Sequence, residues 1–131
     1  MKKYCYYLLI LSVIATGVTS CQKTEKTLAP YGYDIKGFYD VAVTPGKDTS
    51  FTMPIKVEYL YGNAELVNVT VLNCPPGVTF TPAFAEGTGT FTTNFTFHVN
   101  LSRVGITYPI IIYCTSPSTS THSVTFNISV L

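Results

Sequence analysis

Few residues of this 131-residue chain could do covalent chemistry: four cysteines, two histidines and scattered hydroxyls. Cys21 is the one with a telling context. A thiolate is the nucleophilic form of a cysteine. Cys21 follows a positive Met1-Lys2-Lys3 start, a mostly apolar run from Tyr6 to Val18, and the hydroxylated pair Thr19 and Ser20. That order is the order of a secretory signal and its cleavage site, and the run is shorter than the roughly twenty residues of a membrane-spanning helix. Read as an export signal, residues 1–20 are expected to leave the mature chain, and Cys5 with them. Cys74 and Cys114 then remain to the folded part, enough for one bridge at most.

No other constellation has the spacing of a reaction centre. His98 has outward parity on a strand pattern and His122 sits at the entry to another, and no Gly-x-Ser-x-Gly context surrounds any serine. Gly87-Thr88-Gly89 lacks the following helix that would hold a phosphate. Asp34, Asp40 and Asp48 are spread over loops without calcium-loop spacing. Asn-x-Ser/Thr sequons at Asn68, Asn94, Asn100 and Asn127 fall on outward parity, as polar strand positions do. The chain therefore reads as a non-enzyme with no cofactor and no metal site. Without residues 1–20, six basic residues face seven acidic ones, a formal charge of −1. With no basic patch, nucleic acid is not an expected partner.

The elements that must position anything are strands. Residues 22–30 are polar and unpatterned and read as a flexible tether. From residue 31 onward the dominant apolar period is two. Seven strand candidates follow, separated by turn residues. They are residues 37–43, a second strand on which Phe51, Met53, Ile55, Val57 and Tyr59 alternate with polar residues, 65–73, 78–81, a fifth carrying Phe91, Phe95, Phe97, Val99 and Leu101, 106–115, and a seventh carrying Val124, Phe126, Ile128 and Val130. Residues 85–89 read as a loop. Pro54 and Pro109 fall inside two of these strands, where a missing N–H weakens a ladder. Each strand has one apolar face, so two sheets must share a core. The expectation is an all-β, immunoglobulin-like, two-sheet antiparallel sandwich of about seven strands, one domain spanning 31–131.

Two resemblances sharpen this. Val18-Thr19-Ser20-Cys21 resembles the bacterial lipobox, which implies diacylation of the Cys21 thiol, cleavage before it and a membrane partner through the lipid anchor. Two or three acyl chains hold far more firmly than one, at ~0.8 kcal/mol per buried CH₂. Gln22 differs from the Asp that retains such lipoproteins at the inner membrane, so the implied address is the outer membrane of the cell envelope, facing either side. Further on, Cys74-Pro75-Pro76-Gly77-Val78-Thr79, Gly105-Ile106-Thr107-Tyr108 and the Ser/Thr-rich last strand resemble bacterial extracellular Ig-like modules of the Pro-Pro-Gly-Val type. Such modules serve as spacers, adhesion units and glycan binders. Here Asn73-Cys74 stands where that pattern has Gly-Leu, which makes Cys74 a buried small hydrophobe.

Between Leu66 and Leu131 the only charged residues, histidines aside, are Glu86 and Arg103. Sheet edges are commonly guarded by charge, so an edge here is either covered or open to a partner strand. If strands three, six and seven share a sheet, its outer face carries Leu66, Leu72, Ile111 and Tyr113 beside Asn68, Thr70, Thr125 and Asn127. An aromatic ring with apolar neighbours and hydrogen-bonding groups is a recognition surface for a glycan or another envelope protein, unless the aromatic segment 31–39 packs over it. Both arrangements fit the sequence. Strands three and six are expected to be antiparallel neighbours with Cys74 and Cys114 at opposite poles, unbridged and both buried.

Overall fold

The computed structural model describes residues 31–118 and 121–131. The expectations for the signal, for Cys21 and for the tether lie outside these residues. Among them the chain forms nine strands: β1 (Gly32–Lys36), β2 (Val41–Val43), β3 (Thr49–Tyr61), β4 (Leu66–Leu72), β5 (Val78–Thr81), β6 (Phe84–Thr88), β7 (Phe91–Val99), β8 (Thr107–Thr115) and β9 (His122–Val130). A four-stranded sheet has the order β1-β3-β7-β5, and a five-stranded sheet the order β2-β9-β8-β4-β6. All pairs are antiparallel except β2 with β9, which is parallel.

Alternation builds the core. Met53, Ile55 and Val57 of β3, Phe95, Phe97 and Val99 of β7, Val67, Val69 and Val71 of β4, Ile110, Ile112 and Cys114 of β8, and Phe126, Ile128 and Val130 of β9 all point inward and are buried. Phe97 is a hub: it stacks on Phe51 at 5.2 Å and meets Phe126 of the other sheet edge-on at 5.4 Å. Such ring pairs add roughly 0.5–1.5 kcal/mol beyond the area they bury.

The expected first strand, 37–43, is corrected. The chain instead runs as β1, leaves through Gly37 at φ +90°, and re-enters the opposite sheet as β2. A Cβ on Gly37 would stand 2.0 Å from the Pro54 carbonyl oxygen, so only glycine can make this exit. The expected loop at 85–89 is corrected too: residues 85–88 lie in β6, which pairs with β4 from Leu66↔Thr88 to Thr70↔Phe84.

The two strand prolines share one explanation. In an extended strand a residue's N–H and C=O point toward the same neighbour. The Pro54 carbonyl faces Gly37, on the side where β1 has ended beyond the Lys36↔Lys56 pair. The Pro109 carbonyl accepts from Asn73 Nδ2 at 2.8 Å, on the side where β4 has ended beyond Leu72↔Ile111. Each proline thus turns its missing donor toward a place with no ladder to complete.

Candidate functional site

The outer face of the five-stranded sheet is set by register, because directly opposed residues share a face. Asn68 lies opposite Thr115 on one side and Glu86 on the other; Thr70 lies opposite Tyr113 and Phe84; Leu72 lies opposite Ile111. Across the next ladder Ile111 faces Thr125 and Tyr113 faces Ser123. The sequence-predicted set of Tyr113, Ile111, Leu66, Leu72 and Asn68 therefore comes together on one surface. Leu66 and Leu72 are exposed, and Tyr113, Ile111 and Asn68 half-buried.

Phe84 was missed by the sequence reading. It is 57% exposed, an unusual position for a phenylalanine, and belongs to the same face. The signal was there in Phe84-Ala85-Glu86, one alternating step long, but Gly87-Thr88-Gly89 made the segment look like a turn. Gly87 is instead a strand residue beneath a ring: a Cβ there would lie 2.4 Å from Phe91 Cγ.

The face is held by its polar members. Asn68 Nδ2 donates to Glu86 Oε1 at 3.0 Å, and Thr70 Oγ1 donates to the Ala83 carbonyl at 3.3 Å, tying β6 to β4. At one end, Leu66, Asn68, Thr115, Ser116 and Pro117 line an open cleft of about 350 Å³. The Ser118 N–H donates to Glu65 Oε2 at 3.0 Å, and hydrogen bonding from Ser118 holds the Glu65 carboxyl below its usual range.

The segment 31–39 does not cover this surface. Tyr33 and Ile35 are buried from β1, in the other sheet, and Tyr31 just before it is buried too. Tyr33 is buried, with its ring 4.8 Å from that of His122. Burial, then the nearby Cys114 and Tyr31, push the Tyr33 hydroxyl up to about 12. Tyr39 donates to the Thr52 carbonyl at 3.2 Å. Asp40, just past the segment, accepts the Asn127 backbone N–H at 2.7 Å.

The opposite outer face is different in kind. Ser50 Oγ and His98 Nδ1 are 2.7 Å apart, Thr52 and Thr96 hydroxyls 3.0 Å apart, and Glu58 pairs with both Lys36 and Lys56. Asp48, the acid nearest in register to Ser50 and His98, accepts from Asn100 Nδ2 at 2.6 Å. A serine and a histidine meet as rungs of a cross-strand polar ladder, and among the described residues no hydrogen bond from an acid to the ring accompanies them.

Cys74 and Cys114 are unbridged, as expected. Val69 lies opposite Cys114, so Cys74 is five residues farther along, ~16 Å at ~3.3 Å per residue, against the ~7 Å limit for a bridge. The expectation that both are buried holds for Cys114. Cys74 is corrected to half-buried, at the rim of the core where β4 gives way to a loop. Asn73 before it has φ +64°, the left-handed region that glycine enters most easily and asparagine next.

No family model matches the sequence, and no curated protein matches it. The structure is similar to WR4, an MSP family member of Caenorhabditis elegans, at a TM-score of 0.56 and 9% identity over 76% of this chain and 97% of that one. It is also similar to the ASH / PapD-like domain 7 of human CEP192, at a TM-score of 0.52 and 8% identity over 78% of this chain and 87% of that one. At such identities the likeness is one of fold, and it places the chain among the immunoglobulin-like β-sandwiches.

Proposed function

We propose that the chain is a non-catalytic lipoprotein of the bacterial envelope, anchored through Cys21 at the outer membrane, whose five-stranded sheet binds a glycan on its outer face. One observation carries the reading: Tyr113, Ile111, Leu72, Leu66 and Phe84 lie together on a face that the aromatic segment 31–36 leaves open by joining the other sheet. Rings with few rotatable bonds make contact area at low entropic cost. Thr70, Ser123, Thr125 and Asn68 interleave hydroxyl and amide groups among them, and sugars present the same mixture of apolar ring faces and hydroxyl edges. The test is a glycan array probed with wild type and with Tyr113→Ala. Discrete signals that the variant loses support the reading; a variant that keeps the full wild-type pattern counts against this face.

A second reading has its own observation. β6 is the outermost strand of its sheet, and Glu86 is its only charge. A poorly guarded edge can accept a strand from a neighbour, which would make the domain an assembly subunit or spacer pairing with another envelope protein. A monomer at all concentrations in sedimentation, with Phe84→Lys changing nothing, would remove the self-assembly form of that reading.

A further inference from the structure

At the pole away from Tyr31, two loops enclose a cleft of about 390 Å³ lined by Pro75, Pro76, Asn100, Leu101, Ser102, Arg103 and Tyr108. That volume falls in the small-molecule range of roughly 300–1,000 Å³. We infer that this cleft is a second binding site, separate from the sheet face, which holds an acidic sugar with its carboxylate on Arg103 and its ring against Tyr108 and the Pro75-Pro76 step.

The walls are fixed before any ligand arrives. The Asn100 N–H donates to the Gly77 carbonyl at 2.7 Å, and the Gly46 N–H to the Leu101 carbonyl at 2.8 Å. Gly77 has φ +95°, and a Cβ on it would lie 2.3 Å from the Asn100 carbonyl oxygen, so the two loops touch backbone to backbone. The Leu101 side chain is buried and pins its loop into the core. Consecutive prolines restrict the other wall. A preformed site gives up less entropy on binding.

Charge and shape select the ligand class. Arg103 is the only basic residue between Leu66 and Leu131, histidines aside, and it projects exposed at this cleft. The ion pairs among the described residues involve Lys36 and Lys56, not Arg103. Asp48 lines the neighbouring cleft and is engaged by Asn100 Nδ2. A guanidinium presents a fork that matches a carboxylate in two places. An extended peptide is disfavoured as occupant, because several of the main-chain groups it would pair with are absent or taken. Pro75 and Pro76 have no N–H, the Pro75 carbonyl accepts from Val78 at 3.0 Å, and the Asn100 N–H and Leu101 carbonyl are used between the loops. Tyr108 explains its own position on this reading: it has core parity yet is half-buried, with part of its ring left to the cleft.

Titration calorimetry on the full chain tests this with trigalacturonate, maltotriose as the uncharged trisaccharide, and an acetylated tripeptide as a carboxylate without a sugar ring. Trigalacturonate is expected to bind at least about tenfold tighter than either control, a difference of ~1.4 kcal/mol. Arg103→Gln should weaken it by a similar factor, Arg103→Lys should fall between, and Tyr113→Ala should leave it unchanged. Arg103 is exposed, and unchanged thermal unfolding of its variants verifies the fold. No heat up to about 10 mM, equal binding by Arg103→Gln, or maltotriose or tripeptide matching trigalacturonate would each overturn the assignment. Loss with Tyr113→Ala but not with Arg103→Gln overturns it as well, and moves the sugar to the sheet face.

Discussion

Phe84 and Tyr113 stand on the same outer face two strands apart, with Thr70 the register partner of both. Neighbouring strands are ~4.8 Å apart, so the two side chains arise about 10 Å from each other with a hydroxyl between them. This spacing suits a ring or short chain lying across β6, β4 and β8.

The first prediction separates that face from the core. Phe97→Ala should cost ~3–5 kcal/mol, because it removes a fully buried ring touching Phe51, Phe80 and Phe126. Phe84→Ala, on an exposed side chain, should cost under ~1 kcal/mol. Chemical denaturation of both measures the contrast, and comparable losses would mean that Phe84 is covered.

A second prediction concerns Gly77. With φ +95° and the Asn100 carbonyl where a Cβ would go, Gly77→Ala should destabilise by at least roughly 1–3 kcal/mol and disturb the Arg103 cleft. Gly46 and Gly89 also have positive φ but open space around them, so their alanine variants should cost less than Gly77→Ala. Thermal unfolding of the three orders them.

How far the sequence showed all this differs by element. β3, β4, β7, β8 and β9 were legible because each alternates over seven residues or more and buries one side. β1, β2 and β6 have five residues or fewer, and a glycine hinge or glycine-rich end hides their period. Tyr31, Tyr33 and Ile35 do alternate, yet which sheet they would join depended on Gly37 leaving beside Pro54, a tertiary contact. Tyr113 could be placed by parity alone; Phe84 could not, since its strand was unseen. The Arg103 cleft joins the β4–β5 and β7–β8 loops, and no spacing in the sequence announces that meeting.

The third prediction is a pH dependence. Burial pushes the Cys114 thiol from its ordinary 9.0 up to about 12, and the Tyr33 hydroxyl from 10.0 up to about 12. Above pH 9 the unfolded chain gives up these protons while the folded chain keeps them, so stability falls as pH rises. The contribution is complete below the ordinary values and is lost between pH 9 and about 12. Cys114→Ala should flatten the start of that decline in denaturation curves taken at stepped pH. A curve as steep as that of wild type would show that the thiol is not responsible.

Thiol labelling supplies a fourth prediction. Cys74, half-buried with its pKa raised by burial, should alkylate slowly in the native state, and Cys114 only after denaturation. Peptide mapping of a non-reducing digest should contain no Cys74–Cys114 pair; finding one would contradict the β4–β8 register.

The fifth prediction tests the anchor. Cys21→Ala should abolish acylation of the N-terminal peptide and remove the protein from the detergent phase, while leaving the circular dichroism of the domain unchanged. An unmodified wild-type N-terminus would sink the lipoprotein reading.

The most direct test of the central claim is a glycan array probed side by side with wild type, Tyr113→Ala and Phe84→Ala, each first shown to unfold within a few degrees of wild type. The account predicts discrete wild-type signals, with every signal other than those of acidic sugars lost in both variants. An array on which both variants keep the full wild-type pattern, or on which wild type binds nothing, would contradict it.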